Sequence, residues 1–230
     1  LALFAWIGAT AAASMFFVSG ANWGLGVALL VVANLALGAS LVVYDAILID
    51  IAVPDDRDRV SSRGWAFGYA GGGLLLIANL VMVLMPDALG ISTGMAVRLS
   101  LLSAGLWWAL WTIIPYRRIV DRPSRGLPPT ADVTFIRGAF GQLADTLRDL
   151  KHYPQTGLFL LAYLFFNDGV QTVIASASVY GAEQLGMTQT VLIGAIVVVQ
   201  IVAFVGALLF GKRAARAGAH RVIRASLVIW

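Results

Sequence analysis

The longest uncharged run of the chain lies at its start, because no Asp, Glu, Lys, Arg or His occurs between Leu1 and Tyr44. A helix that crosses the hydrocarbon core of a bilayer needs about 20 mostly apolar residues. The run is therefore long enough for two such helices, and the small and polar residues at 19–22 predict the turn between them. The rest of the chain agrees, since only 12% of its residues are charged, about half the share of a water-soluble domain.

Further apolar runs follow, and they predict an all-α polytopic membrane protein. The sequence predicts about six complete spans: 1–18, 23–50, 64–86, 99–116, 157–182 and 184–211. The start of a seventh span is predicted from Ala225 onward. Because the chain opens on Leu1 and closes inside an apolar stretch, we expect it to be part of a longer protein.

The basic residues predict which side of the membrane each loop occupies. Fifteen of the 16 Lys and Arg fall in three alternate loops, 54–64, 116–156 and 211–224, and the remaining one is Arg98. Cytoplasmic loops retain positive charge, so these three loops are predicted to be cytoplasmic and the first helix to run outward. The net charge of +4 is thus a topology signal. We predict the lipid bilayer as partner and no binding of nucleic acid.

The segment 116–156 divides the chain into a first helical bundle, 1–115, with four spans and the start of a second, 157–230. Its first part predicts an irregular linker, because it is rich in proline: Pro123, Pro128 and Pro129. Its second part predicts an amphipathic helix, because apolar residues recur at spacings of three and four: Ile136, Phe140, Leu143, Leu147 and Leu150. Such a connector fits a transporter of two halves, and it fits a regulatory loop equally well.

Asp168 is the main candidate for chemistry, because it lies in the middle of a predicted span. A carboxylate at that depth costs about 2.5–3.5 kcal/mol and usually faces a cavity or a partner. Gln171 and Thr172 share its helix face, and Asn167 and Tyr163 complete the candidate solute- or proton-binding set. The alternative is a structural carboxylate held by interhelical hydrogen bonds. The neighbouring Gly169 would permit close approach or local unwinding.

Other polar and small residues in the spans are interpreted as structural. Asp45 and Asp50 lie near the cytoplasmic end of the second span, where an ion-paired helix end is expected. Asn34 and Asn79 are expected to make helix-packing hydrogen bonds. Glycines at every fourth residue predict close packing of the third span: Gly64, Gly68 and Gly72.

An enzyme is not predicted. Both histidines, His152 and His220, lie in predicted cytoplasmic loops, and the chain has no cysteine and no Gly-x-Ser-x-Gly motif. No His, Asp and Glu cluster has metal-ligand spacing, so neither a metal nor a cofactor is expected. A membrane-embedded hydrolase would need an intramembrane histidine or metal site.

Three strings resemble the vacuole-effluxer-like family of the major facilitator superfamily. They are RDRVSSRGWAFGYAGG at 57–72, NDGVQTV at 167–173 and GALLFG at 206–211. The resemblance implies a partial major-facilitator-type helical bundle, with these helices as spans three to eight and the start of nine of a twelve-helix fold. It also implies amino-acid efflux, an activity associated with the fungal members.

The resemblance further implies a set of gating residues on the cytoplasmic side. The short cytoplasmic motif of the superfamily maps onto Gly211, Arg216, Gly218 and Arg221. The chain departs from that motif at Ala215, where an Asp is usual, and this puts a charge clamp of the second half in doubt. Two charged residues at the same membrane face, Arg63 and Asp45, join the candidate gating set.

Taken together, the residues predict a secondary active transporter that moves a small polar solute, with or without a proton, by alternating access. Its expected location is the bacterial inner membrane. The alternative is a non-transporting membrane scaffold or receptor that acts through the 116–156 segment.

Overall fold

The computed structural model describes residues 1–119 and 134–229, which are almost entirely helical and contain no strand. A single 3-10 turn, Met15–Phe17, extends the first helix. The helices in chain order are α1 Ala2–Ser14, α2 Trp23–Ile51, α3 Arg57–Leu84, α4 Thr93–Arg118, α5 Thr134–Asp149, α6 Pro154–Glu183, α7 Gln189–Ala217 and α8 Ala219–Ile229.

Five of these helices are long and apolar enough to cross a membrane: α2, α3, α4, α6 and α7. Many of their large apolar side chains point outward, as in Leu35, Phe165 and Val198, which are 70%, 71% and 59% exposed. Apolar surface of this extent is suited to lipid contact. The all-α membrane fold predicted from the sequence is therefore confirmed.

The first predicted span is shorter in the structure than expected. The apolar segment Ala2–Phe17 has 16 residues and a helical length of about 24 Å, less than the roughly 30 Å hydrocarbon core. It ends before the predicted turn at 19–22, where Gly20 takes a positive φ of 54°. The described residues thus hold five helices of spanning length and one shorter apolar helix, where the sequence predicts six spans.

Two predicted loops are largely helical. The charged segment 54–64 contains only a short 3-10 turn before α3 begins at Arg57, so Arg63 lies on a helix. The segment 211–224 is formed by the end of α7 and the start of α8, with Gly218 between them at a φ of 86°. Arg, Lys and Ala are strong helix formers, so a helix that contains them can continue beyond the predicted membrane span.

The chain forms two compact units. The first contains α1–α4, most of α7 and α8, and the second contains α5, α6 and the start of α7. These units divide the chain differently from the two predicted bundles, 1–115 and 157–230. The division into bundles remains a prediction. The predicted amphipathic segment is helical, as α5, whereas the predicted proline-rich linker lies outside the described residues.

Within the first unit, α1 packs closely on α4 through glycines. A Cβ on Gly8 would overlap the indole ring of Trp108. A Cβ on Gly105 would overlap the backbone of Ala13 in the same way. Gly105 thus lets the backbones of α4 and α1 approach closely, and Gly8 makes room for the indole ring of Trp108.

We expect Gly105→Ala to destabilise the protein by about 1–3 kcal/mol, because the added methyl group meets backbone, which cannot rotate away. Thermal unfolding of the purified protein in detergent would show this as a lower Tm. Gly94→Ala is the matched control, because it lies on the same helix with open space around it. An equal Tm for the two variants would contradict the close α1–α4 contact.

The helix-packing predictions for individual polar residues hold in part. The Ser103 hydroxyl lies 3.0 Å from Asn79 Oδ1 and joins α4 to α3, as expected. Asn34 instead donates to the Leu30 carbonyl of its own helix, at 2.9 Å. Gly64 lies against Tyr44, whose hydroxyl would be 2.6 Å from a Cβ on the glycine, so this glycine does serve close packing.

Candidate functional site

The candidate binding residues on α6 share one continuous helix in the second unit. Asp168 is the fifteenth of the 30 residues of α6 and thus lies at its middle. Gln171 and Thr172 follow it by three and four positions, so they lie on its side of the helix. The helix is regular through Gly169, and local unwinding at this glycine is not observed.

The surroundings of this α6 stripe are open. Asp168, Gln171 and Thr172 are exposed, and Asn167 is half-buried. Within residues 134–192, none of these four side chains has a hydrogen bond or an ion pair in the structure. The ring of Tyr163 packs on its own helix, 5.2 Å from the Phe166 ring.

A second region lies in the first unit between α3, α7 and α8, and we call it the cytoplasmic groove after the orientation that the basic residues predict. Its volume is about 560 Å³. The α3 side carries polar and aromatic residues: Asp58, Ser61, Ser62, Trp65 and Tyr69. The α7 and α8 side is apolar, and it combines small residues such as Ala203, Gly206, Gly211 and Ala214 with the larger Val202, Phe210 and Ile223. Two of the three strings that carry the family resemblance, 57–72 and 206–211, face each other here.

Gly211 makes the closest contact across the groove. It is buried, and a Cβ at this position would overlap the side chain of Ser62 on α3. The Ser62 hydroxyl donates to the Arg59 carbonyl at 3.2 Å, which fixes its orientation within the first turns of α3. Glycine at 211 therefore sets how closely the first turns of α3 can approach the last turns of α7.

The other candidate gating residues are not among the residues that line the groove. Gly218 forms the joint between α7 and α8, and its positive φ of 86° favours glycine. Arg216 and Arg221, on either side of this joint, are exposed. Arg63 and Asp45 are also exposed on α3 and α2, and neither is among the lining residues.

The expected ion pairing of the α2 end takes a different form. Among the described residues, Asp45 and Asp50 have no ion pair, whereas Asp56 pairs with Arg59 at 3.0 Å. Both partners are largely exposed, so this pair contributes about 0–1 kcal/mol. It joins residues three apart at the start of α3 and makes no contact between helices.

Two groups of residues were not singled out from the sequence. The first group is the α3 side of the groove, formed by Asp58, Ser62, Trp65 and Tyr69. These residues recur at spacings of three and four, and this pattern could have indicated from the sequence that they share one helix face. The second is a single residue, Gln200, whose sequence signal is that no other strongly polar side chain occurs between Val191 and Gly211. In the described part of the chain, no group of three His, Asp or Glu is placed to hold a metal ion.

Comparison with known proteins finds one matching family and several similar proteins. The family model for "Vacuole effluxer Atg22 like" proteins matches residues 50–230. An "Uncharacterized MFS-type transporter YxiO" of Bacillus subtilis is 28% identical over 97% of this chain and 51% of its own length. "Autophagy-related protein 22-1" of Neosartorya fischeri is 32% identical over 67% of this chain and 26% of its own length.

The chain thus spans about half the length of the bacterial relative and about a quarter of the fungal one. No solved structure matches it. The matched region includes all three strings that suggested the family, and five helices of the structure can span a membrane. The chain is part of an integral, multi-pass membrane protein and belongs to the vacuole effluxer Atg22-like family.

Proposed function

We propose that this chain is the central part of a secondary active transporter that moves a small polar solute by alternating access. The observation that carries the proposal is Asp168, a carboxylate at the middle of a 30-residue apolar helix. Such a group is costly in a bilayer and is typical of solute pathways and proton relays. The relatives support a transporter, since one is named an MFS-type transporter.

The α6 stripe is the proposed solute site. Asp168 carries the charge or the exchangeable proton, and Asn167, Gln171 and Thr172 supply hydrogen-bonding groups on the same helix. Tyr163 lies four residues before Asn167, about one helical turn, and adds a hydroxyl group. Amino acids are the first class of solute to test, because their carboxylate and ammonium groups suit this combination of donors and acceptors.

The cytoplasmic groove is the proposed place of gating. Closure would bring α3 and α7 together at Gly211, while Gly218 lets α8 turn relative to α7. Arg216 and Arg221 flank this joint and are suited to hold it at the membrane surface. Arg63 and Asp45 complete the charged cytoplasmic rim of the gate.

The protein is proposed to lie in a bacterial plasma membrane with 54–64, 116–156 and 211–224 on the cytoplasmic side. The distribution of Lys and Arg supports this orientation. The bacterial relative, matched over 97% of this chain, supports the choice of membrane.

Flux through the reconstituted full-length protein tests the proposal. Proteoliposomes are loaded with radiolabelled amino acids, a pH gradient is applied, and efflux is compared with that of protein-free vesicles. We expect efflux above the control that depends on the pH gradient. Absence of flux for every amino acid in either direction would contradict amino-acid transport and favour the scaffold hypothesis.

A further inference from the structure

Gln200 on α7 has an unusual environment for a polar side chain in a membrane span. It is the one strongly polar residue between Val191 and Gly211, and it is half-buried. It lies against α3, where its Nε2 would be 3.1 Å from a Cβ on Gly72 and its Cβ 3.4 Å from a Cβ on Gly73. The amide therefore sits on a surface that has no side chains.

This environment argues against a purely structural role. A polar residue that holds two membrane helices together does so by a hydrogen bond across their contact. Among the residues that the structure describes, the Gln200 amide has no hydrogen-bond partner. Gly72 and Gly73 offer it no side-chain group, and an amide left unpaired in hydrocarbon is costly.

The depth of the contact points to the centre of the membrane. Gly72 lies nine residues beyond Arg63 on α3 and Gln200 lies twelve residues before Lys212 on α7. These spacings correspond to about 13 and 18 Å of helix measured from the cytoplasmic charges. Half of the hydrocarbon core is about 15 Å, so both residues lie near the midplane, where transporters place their solute sites.

We infer that Gln200, seated on Gly72 and Gly73, faces a water-accessible path and recognises a hydrogen-bonding group of the transported solute. The amide can donate two hydrogen bonds and accept others, which suits the carboxylate or ammonium of a small zwitterion. Because Gly72 and Gly73 have no side chains, no side chain from these two positions of α3 covers the amide. This inference rests on the proposed transport function and adds a recognition residue on α7 to the α6 stripe.

The absence of cysteine from the chain provides a test that needs no knowledge of the solute. Gln200→Cys is introduced into the full-length protein, in which any cysteine outside this chain is replaced by serine. The variant is treated in membranes with a charged methanethiosulfonate reagent. Only the thiolate reacts, and it forms only where water reaches. Val198→Cys is the matched control, because Val198 is 59% exposed on nearly the opposite face of α7.

We expect Gln200→Cys to be modified at least tenfold faster than Val198→Cys. Equal rates would overturn the inference, because Gln200 would then face no more water than a lipid-facing residue. This outcome is independent of the flux experiment, so a labelled Gln200→Cys in a protein that transports no amino acid would separate the two proposals.

A second variant tests recognition itself. Gln200→Leu keeps the approximate size of the side chain and removes its amide, so we expect at least a tenfold rise in the KM for amino-acid flux. Val198→Leu should leave the KM unchanged. A lower maximal rate at unchanged KM for Gln200→Leu would overturn recognition by the amide, since it would show an effect on the protein rather than on solute binding.

Discussion

Asp168→Asn is expected to lower solute flux at least tenfold and to remove its dependence on the pH gradient. The amide has nearly the same shape as the carboxylate, but it can neither carry a charge nor exchange a proton at physiological pH. The substitution acts at the middle of α6, a depth at which carboxylates typically mark solute pathways or proton relays. Flux in proteoliposomes with and without a pH gradient provides the measurement.

The matched control for Asp168→Asn is Glu183→Gln, which removes a carboxylate from the end of the same helix. Glu183 is exposed, and its loss should leave flux within about twofold of the wild type. If Asp168→Asn retained both the flux and its pH dependence, Asp168 would have no part in the mechanism. A structural carboxylate would instead show a lower Tm in this variant at unchanged coupling.

Gly211→Ala is expected to reduce flux by about five- to 150-fold. The added methyl group overlaps Ser62 and keeps the start of α3 apart from the end of α7. Overpacking of this kind costs about 1–3 kcal/mol, which corresponds to that range of shifts in an equilibrium between open and closed states. Flux at saturating solute, together with the Tm of the purified variant, separates a gating effect from a loss of folding.

Two further variants make the Gly211 experiment specific. Gly194→Ala lies on the same helix with nothing within 4 Å of the added group, and should leave flux unchanged. Ser62→Gly combined with Gly211→Ala removes the side chain that the methyl group meets and should restore most of the flux. Failure of this double variant to recover would show that the Gly211–Ser62 contact is not what limits transport.

The hydropathy of the chain predicts its central helices well. The second span was predicted at 23–50 and is observed as Trp23–Ile51, since both ends coincide with a change from apolar to turn-forming or charged sequence. The predicted third and sixth spans are too short at their charged ends, because α3 begins at Arg57 and α7 continues to Ala217. Their extra turns are charged, and a charge marks where a segment leaves the bilayer rather than where its helix stops.

The candidate site was predictable only where one residue carried its own signal. Asp168 stands out because a membrane-embedded carboxylate is costly whatever its neighbours are. The cytoplasmic groove depends on which helices lie together, and Ser62 and Gly211 are far apart in sequence. Gln200 could not be identified from the sequence for a similar reason. An uncharged amide is a weak sign of a binding residue until its glycine neighbours on α3 are known.

The most direct test of alternating access is solute flux through a protein whose cytoplasmic groove is cross-linked. Ser62→Cys on α3 and Ala214→Cys on α7 both line the groove, and the chain has no other cysteine. Flux is measured before and after treatment with a short bifunctional maleimide, and each single-cysteine variant serves as its control. We predict that the cross-link abolishes flux while the treated single variants continue to transport. Undiminished flux through the fully cross-linked protein would contradict gating by the approach and separation of α3 and α7.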